Sequence, residues 1–133
     1  MNRTLLIIAG SLGAAAVGIG AFGAHGLTPL LSAKNIAIYQ TGVSYHFYHV
    51  LAILACVALS PGKQQGTWLN RAAWSFIVGI GLFSGSLYLL SCREILHLPP
   101  VAIAILGSLT PMGGLGFIAG WLCMVIHAFR LPR

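Results

Sequence analysis

The sequence predicts an all-α integral membrane protein, a bundle of four transmembrane helices that forms a single domain over residues 1–133. Composition is the first observation, because 58% of the residues are hydrophobic and only 6% are charged. A soluble domain carries about 25% charged residues. The second observation is four apolar runs, each long enough to cross a hydrocarbon core of about 30 Å as a helix. The third is that short connections rich in Pro, Gly or polar residues separate the runs.

The predicted spans cover, in chain order, residues 4–24, 41–59, 68–90 and 101–129. The fourth run is too long for an upright span, and Pro111 lies inside it. Proline removes a helical hydrogen bond and pushes away the carbonyl four residues earlier, here that of Gly107. We therefore expect a kink or break near Pro111, or a span that begins there.

The connection after the first span predicts a short helix at the membrane surface. Thr28 is a typical N-cap residue, and Pro29 would occupy the first helical position. Leucine and isoleucine side chains would lie against the membrane while Lys34 faces water. This interfacial helix would end before the second span begins at residue 41.

Basic side chains predict the orientation of the chain. One side of the membrane would hold Arg3, Lys63, Arg71, Arg130 and Arg133, and the other side only Lys34 and Arg93. Loops with more Lys and Arg stay in the cytoplasm, so we expect both termini inside, in the plasma (inner) membrane of a cell. The bases form no stripe interleaved with aromatic residues, so we expect membrane lipids and no nucleic acid as partners.

Small residues at helical spacing predict the faces on which the helices pack. Lipid gives no hydrophobic drive for helix association, so close backbone approach must supply it. In the first span, a stripe of residues three or four apart contains Ser11, Ala14, Gly18, Ala21 and His25. The predicted packing glycines are Gly18, Gly81, Gly85, Gly113, Gly116 and Gly120.

Polar side chains gather toward the predicted outer ends of the spans. Within a bilayer such groups normally face the bundle interior and pair with one another. Tyrosines and histidines could equally serve as anchors at the membrane interface. We therefore predict a cluster with either a ligand-binding or a structural role, made of His25, Tyr45, His49, Ser84, Ser86, Tyr88 and Thr110.

Metal and cofactor chemistry is not expected at this cluster. Only His25, His46 and His49 could converge, and Glu94, the single acid of the chain, follows the third span. A zinc site normally takes three or four protein ligands. Hydrolytic catalysis is not expected either, because no buried acid is available to orient a histidine base.

Two classes of function remain open from the residues. The first is a non-enzymatic accessory or scaffold subunit, or a lipid-binding module, that could form a homo-oligomer or join a larger membrane complex. The alternative is the binding or transport of an ion, a small solute, a metal or haem through the outer His/Tyr cluster. A proton path would need polar groups through the whole membrane, and the inner halves of the spans offer few.

Four ordered motifs cover most of the chain: GAFGAH (20–25), QTGVSYHFYHVLAIL (40–54), LFSGSLYLL (82–90) and TPMGGLGFIAGW (110–121). In this order and spacing the sequence resembles the YgdD-like family of small four-helix inner-membrane proteins. This family is called domain of unknown function 423, with animal transmembrane protein 256 as a more distant member. The resemblance implies a four-helix membrane protein without an assigned activity. The family pattern includes His25, Tyr45 and His49 but not His46.

Overall fold

A computed structural model describes residues 2–60 and 67–131, and most of these residues are helical. Each of the four helices is long and apolar enough to cross a membrane, and the prediction of an all-α protein with four transmembrane helices is confirmed. Lys63 and Arg133, used above to predict the orientation, lie outside the described residues. The helices are α1 (Arg3–Leu27), α2 (Ala33–Ala58), α3 (Thr67–Ser91) and α4 (Pro100–Phe129).

The helices pack in chain order, α1 on α2, α2 on α3, and α3 on α4. Asn2, Cys56 and Leu69 border one small cavity, so the start of α1, the end of α2 and the start of α3 share one end of the bundle. The guanidinium of Arg130 lies 5.2 Å from the ring centroid of Trp68 and brings the end of α4 to the same place. Both described chain ends therefore lie together, at the end that the charge distribution predicts to be cytoplasmic.

The core lies around α2 and α3. Phe76, Ile53 and Leu69 are fully buried there, together with small side chains such as Ala72 and Ala73. The helices α1 and α4 are far more exposed. Only 17% of the most apolar 18-residue stretch of α1, and 11% of that of α4, is buried inside the protein. In a bilayer, most of the surface of α1 and α4 is therefore available to lipid.

The second helix begins at Ala33, eight residues before the predicted residue 41. The Ser32 side chain caps it by accepting a hydrogen bond from the backbone N–H of Asn35, over 3.3 Å. Thr28 instead closes α1, because its hydroxyl is 3.2 Å from the carbonyl of Gly23 and 2.9 Å from that of Ala24. The separate interfacial helix expected from Pro29 is therefore not formed, and residues 33–40 are the first turns of α2.

Within the described residues, two wide π-helical turns interrupt the regular helices, and no sequence pattern predicted either of them. One covers Gly23–Leu27 at the end of α1, and the other covers Ile80–Ser84 within α3. Each inserts extra backbone into the turn and so changes which side chains face a neighbour. Such turns occur often at functional sites.

The fourth helix runs without a break through Pro111 and starts with Pro100 at its first position. The expected break near Pro111, and a span that begins there, are therefore not found; a kink stays a prediction. The hydroxyls of Ser108 and Thr110 donate to the carbonyls of Ala104 and Leu106, at 3.0 and 3.1 Å. These bonds stay within α4, as is usual for hydroxyls inside transmembrane helices.

Three of the predicted packing glycines lie at the contact between α4 and α3. A Cβ atom on Gly113 or Gly120 would collide with Phe83 or Phe76, respectively. A Cβ atom on Gly116 would lie 3.4 Å from the Cα atom of Gly79, so the two backbones nearly touch. The Ser75 hydroxyl also donates to the carbonyl of Gly116 over 2.9 Å and fixes this close approach.

Contrary to the prediction, no other described helix of the same chain packs on Gly18, Gly81 or Gly85. A Cβ atom on any of the three would meet no heavy atom of a neighbouring segment within 4 Å. The whole predicted stripe of α1, from Ser11 to His25, is exposed. The reason is that α1 packs against α2 through a different face. On this face Gly13 lies beside Val50, Gly20 beside Val43, and Gly23 beside Tyr39.

Candidate functional site

The structure separates the seven predicted site residues instead of bringing them into one cluster. Tyr45 and His49 line a groove between α2 and α4. Tyr88 bonds to His46, and Ser86 bonds to Thr110. Ser84 is fully buried, whereas His25 is exposed on the π turn of α1.

The position of Tyr45 and His49 within α2 differs from the expected one, which lay within two turns of the start of the span. His49 is the seventeenth of the 26 residues of α2. At 1.5 Å per residue it lies about 24 Å from the first residue of a helix about 39 Å long. Because α2 begins eight residues earlier than expected, Tyr45 lies at the middle of this helix and His49 lies one turn further along it.

A hydrogen-bonded aromatic group joins the first three helices. The Nδ1 atom of His46 lies 3.1 Å from the hydroxyl of Tyr88, on α3. The rings of Tyr88 and Tyr39 have centroids 5.2 Å apart, and the Tyr39 hydroxyl donates to the carbonyl of Ile19 on α1 over 2.8 Å. His46 is only 4% exposed, so this group lies within the packed interior. Its contacts indicate a structural role.

The serine and threonine side chains also serve packing. The hydroxyls of Ser86 and Thr110 lie 2.7 Å apart and connect α3 to α4. Ser84 is 0% exposed, at the α3 turn that precedes them. Within residues 2–60 and 67–131, no group of three His, Cys, Asp or Glu side chains is placed to hold a metal ion.

The groove between α2 and α4 has a volume of about 570 Å³. Phe83 of α3 and Gly114 of α4 both line it, and a Cβ atom on Gly114 would lie 3.9 Å from the Phe83 ring, at ordinary van der Waals distance. Leu115 and Trp121 at its edge are 66% and 50% exposed, so the groove opens on the lipid-facing surface. Its lining comprises Tyr45, His49, Phe83, Pro111, Gly114, Leu115, Phe117, Ile118 and Trp121.

His49 is held in this groove by two contacts. Its ring is stacked on Phe117 of α4, with centroids 3.5 Å apart and planes within 4°. Its Nδ1 atom lies 2.7 Å from the backbone carbonyl of Tyr45. A carbonyl oxygen can only accept, so Nδ1 carries the proton of the neutral imidazole and Nε2 is an acceptor.

His49 lines the groove with an unpaired Nε2 atom, and the whole side chain is only 5% exposed. No described residue hydrogen bonds to Nε2. It also differs from Nε2 of His46, which protein atoms enclose completely. The groove thus combines apolar and aromatic walls with two polar side-chain groups: Nε2 of His49, an acceptor, and the Tyr45 hydroxyl, which can donate or accept.

Sequence reasoning found Tyr45 and His49 but missed Phe83, Phe117 and Trp121 as site residues. Aromatic residues in an apolar span look the same whether they face lipid, the core or a groove. One signal was available: Gly114, Phe117, Ile118 and Trp121 follow the spacing of a single helix face. A second cavity, of about 250 Å³ between α1 and α2, lies beside Tyr39 and Gln40 and is less than half as large.

Comparison with known proteins agrees with the resemblance described above. The family described as "Protein of unknown function (DUF423)" matches residues 19–114. The UPF0382 membrane protein YwdK of Bacillus subtilis is 42% identical over 128 residues, which cover 95% of this chain and 97% of that protein. The UPF0382 inner membrane protein YgdD of Escherichia coli is 38% identical over 132 residues, 99% and 94% of the two chains. No solved structure matches the chain.

Proposed function

For this chain, which belongs to the DUF423 family of proteins of unknown function, we propose a non-enzymatic role in the inner membrane. The protein binds a hydrophobic, lipid-like molecule in the groove between α2 and α4. The ligand enters sideways from the bilayer, because the groove opens on the lipid-facing surface beside Leu115 and Trp121.

The groove itself is the observation that carries this proposal. Its volume of about 570 Å³ falls in the range of about 300–1,000 Å³ typical of small-molecule sites. Such sites are mostly apolar, with a few placed polar groups that orient the ligand. The rings of Phe83, Phe117 and Trp121 supply the walls, and Nε2 of His49 supplies a polar group.

The chemistry of the lining supports binding more than catalysis. The nine lining residues include no carboxylate, no thiol and no aliphatic hydroxyl. His49 therefore has no serine, threonine or cysteine in the lining to activate and no acid to orient it as a base. The groove also opens sideways instead of leading across the membrane, which favours binding over transport of an ion or solute.

A matched pair of glycine substitutions tests the proposal. Gly114→Leu fills the groove, whereas Gly107→Leu adds the same side chain to an exposed part of α4 outside it. Native mass spectrometry on protein extracted in a mild detergent compares lipid bound to wild type and to the two variants. We expect about one retained lipid on wild type and Gly107→Leu, and its loss from Gly114→Leu. An empty wild-type protein, or equal retention by all three, contradicts the proposal.

Self-association is a second proposal, supported by the exposed stripe on α1 that contains Ser11, Ala14, Gly18 and Ala21. Stripes of small residues allow helices in lipid to approach closely, so a second copy could pack there. Crosslinking in membranes tests this: Gly18→Leu should abolish a crosslinked dimer that wild type and Gly81→Leu both form. If wild type remains a monomer, the homo-oligomer proposal is rejected while the groove proposal stands.

A further inference from the structure

We infer that the groove binds an isoprenoid quinol, a neutral lipid with hydroxyl donors on an aromatic head, in preference to an analogue whose hydroxyls are blocked. This inference rests on the proposed function and names the ligand class of the same site. It follows from the fixed acceptor of His49, from the depth of that acceptor, and from the aromatic walls around it.

The direction of the hydrogen bond between His49 and the Tyr45 carbonyl favours a ligand that donates a hydrogen bond. The Tyr45 carbonyl accepts from Nδ1 of His49 over 2.7 Å, so the neutral ring keeps its proton on that side. The Nε2 atom then carries a lone pair and requires a donor. A ligand hydroxyl supplies one, whereas a quinone carbonyl or an ether oxygen brings a second lone pair. Burying an acceptor without a donor is unfavourable.

The position of His49 along α2 favours a ligand whose polar group lies in the membrane interior. His49 lies past the middle of α2, and the hydrocarbon core around it extends about 15 Å to either side of its centre. Phospholipid head groups stay at the interface, so a bound phospholipid would place only acyl chains beside Nε2. A ligand that satisfies Nε2 must carry an uncharged donor into the membrane interior, because burying a charge there is costly.

The aromatic side chains that line the groove favour a ligand with an aromatic head. The ring of Tyr45 lies 4.8 Å from that of Phe83 and 6.2 Å from that of Phe117, measured between centroids. Trp121 is 6.3 Å from the His49 ring and half exposed. At these distances the rings contact one another and form an aromatic wall, and a flat aromatic head can stack or pack edge-on against its exposed surface. An isoprenoid alcohol shares the hydroxyl donor but lacks this ring.

Binding to the full-length protein in phosphatidylcholine nanodiscs tests the inference with three probes. They are a naphthoquinol with a short isoprenoid tail, its dimethyl ether, and an isoprenoid alcohol of similar length. Binding is measured as ligand-dependent stabilisation against heat, under anaerobic reducing conditions. His49→Phe keeps a flat ring against Phe117 but removes Nε2, and His25→Phe makes the same change on the exposed turn of α1.

We expect wild type and His25→Phe to bind the quinol about tenfold more tightly than its dimethyl ether, the size of one net hydrogen bond at the upper end of its usual range. His49→Phe should bind both equally. Equal binding of quinol and ether by wild type overturns the donor argument but leaves groove binding intact. Equal binding of the isoprenoid alcohol and the quinol overturns the aromatic-head argument. These comparisons use wild type, so they decide the inference even if His49→Phe fails to fold.

The failure of the proposed function gives a different pattern. If no probe stabilises wild type and Gly114→Leu retains the same native lipid as wild type, both the ligand class and the groove proposal are rejected. In a third outcome, wild type retains a native lipid that Gly114→Leu loses and yet binds none of the three probes. In that case only the quinol inference is rejected.

Discussion

The imidazole of His49 lies flat on the phenyl ring of Phe117, with centroids 3.5 Å apart and planes within 4°. His49 is on α2 and Phe117 is on α4, so the stack joins two helices across the groove. It also fixes the plane of the imidazole, while the Tyr45 carbonyl fixes its tautomer. One residue therefore has a packing role and a proposed ligand contact, and substitutions can separate the two.

Two substitutions of His49 separate packing from ligand binding. His49→Ala removes the stack and leaves space beside Phe76 and Phe117, and we expect a loss of about 1–3 kcal/mol in the free energy of unfolding. His49→Phe keeps an aromatic ring and should lose less. Reversible unfolding in mixed micelles, followed by circular dichroism, measures the difference. Equal losses for both variants would show that the ring contact does not stabilise the fold.

Gly113 and Gly120, at the contact between α3 and α4, should tolerate no side chain. A methyl group on Gly120 would collide with Phe76, and we expect Gly120→Ala to destabilise the fold by about 1–3 kcal/mol. Gly81→Ala is the control, since its methyl group meets no neighbouring atom within 4 Å and alanine favours helices. The same unfolding assay compares them. A Gly81→Ala loss as large as that of Gly120→Ala would contradict the described packing.

The His46–Tyr88 hydrogen bond should make a small contribution to the free energy of unfolding, and this contribution should depend on both side chains. Tyr88→Phe removes one hydroxyl while keeping the ring against Tyr39, so we expect a loss of about 0.5–1.5 kcal/mol. A double-mutant cycle with His46→Leu isolates the pair, and the coupling energy should be about 0.6 kcal/mol or somewhat more. Coupling indistinguishable from zero would mean that the hydrogen bond does not form in the membrane protein.

The early start of α2 makes a prediction at its cap. Ser32→Ala removes the oxygen that accepts from the Asn35 backbone, and we expect a loss of about 1 kcal/mol. Ser44→Ala, in the middle of α2, serves as the control. Hydrogen exchange should show faster exchange at residues 33–37 in Ser32→Ala only. Unchanged exchange there would place the functional start of the helix later, as the sequence first indicated.

The number and type of helices could be predicted because lipid imposes a length and a composition on every span. The start of α2 could not, because residues 33–40 include Lys34, Asn35 and Gln40 and lower the apolarity on which the prediction relied. The Ser32 cap was a local signal for the earlier start. A second signal of the same kind competed with it. Thr28 is also a typical N-cap residue and precedes Pro29, but its hydroxyl closes α1.

The orientation of each helix about its own axis was less predictable. Spacing correctly indicated that Gly113, Gly116 and Gly120 share a face, but the same spacing around Gly18 marks a face exposed to lipid. Since lipid and protein interior are both apolar, hydrophobicity does not show which face is inward. The π turn at Ile80–Ser84 adds a further change of face that spacing alone does not reveal.

Photo-crosslinking in native membranes tests the central claim most directly. A fatty acid with a diazirine midway along its chain would be incorporated into cells, activated by light and mapped on the protein by mass spectrometry. We predict labels concentrated on groove residues such as Ile118 and Trp121, lost in Gly114→Leu and kept in Gly107→Leu. Labels spread evenly over other lipid-facing positions, such as Val17 and Val78, and unchanged by Gly114→Leu would contradict a lipid-binding groove between α2 and α4.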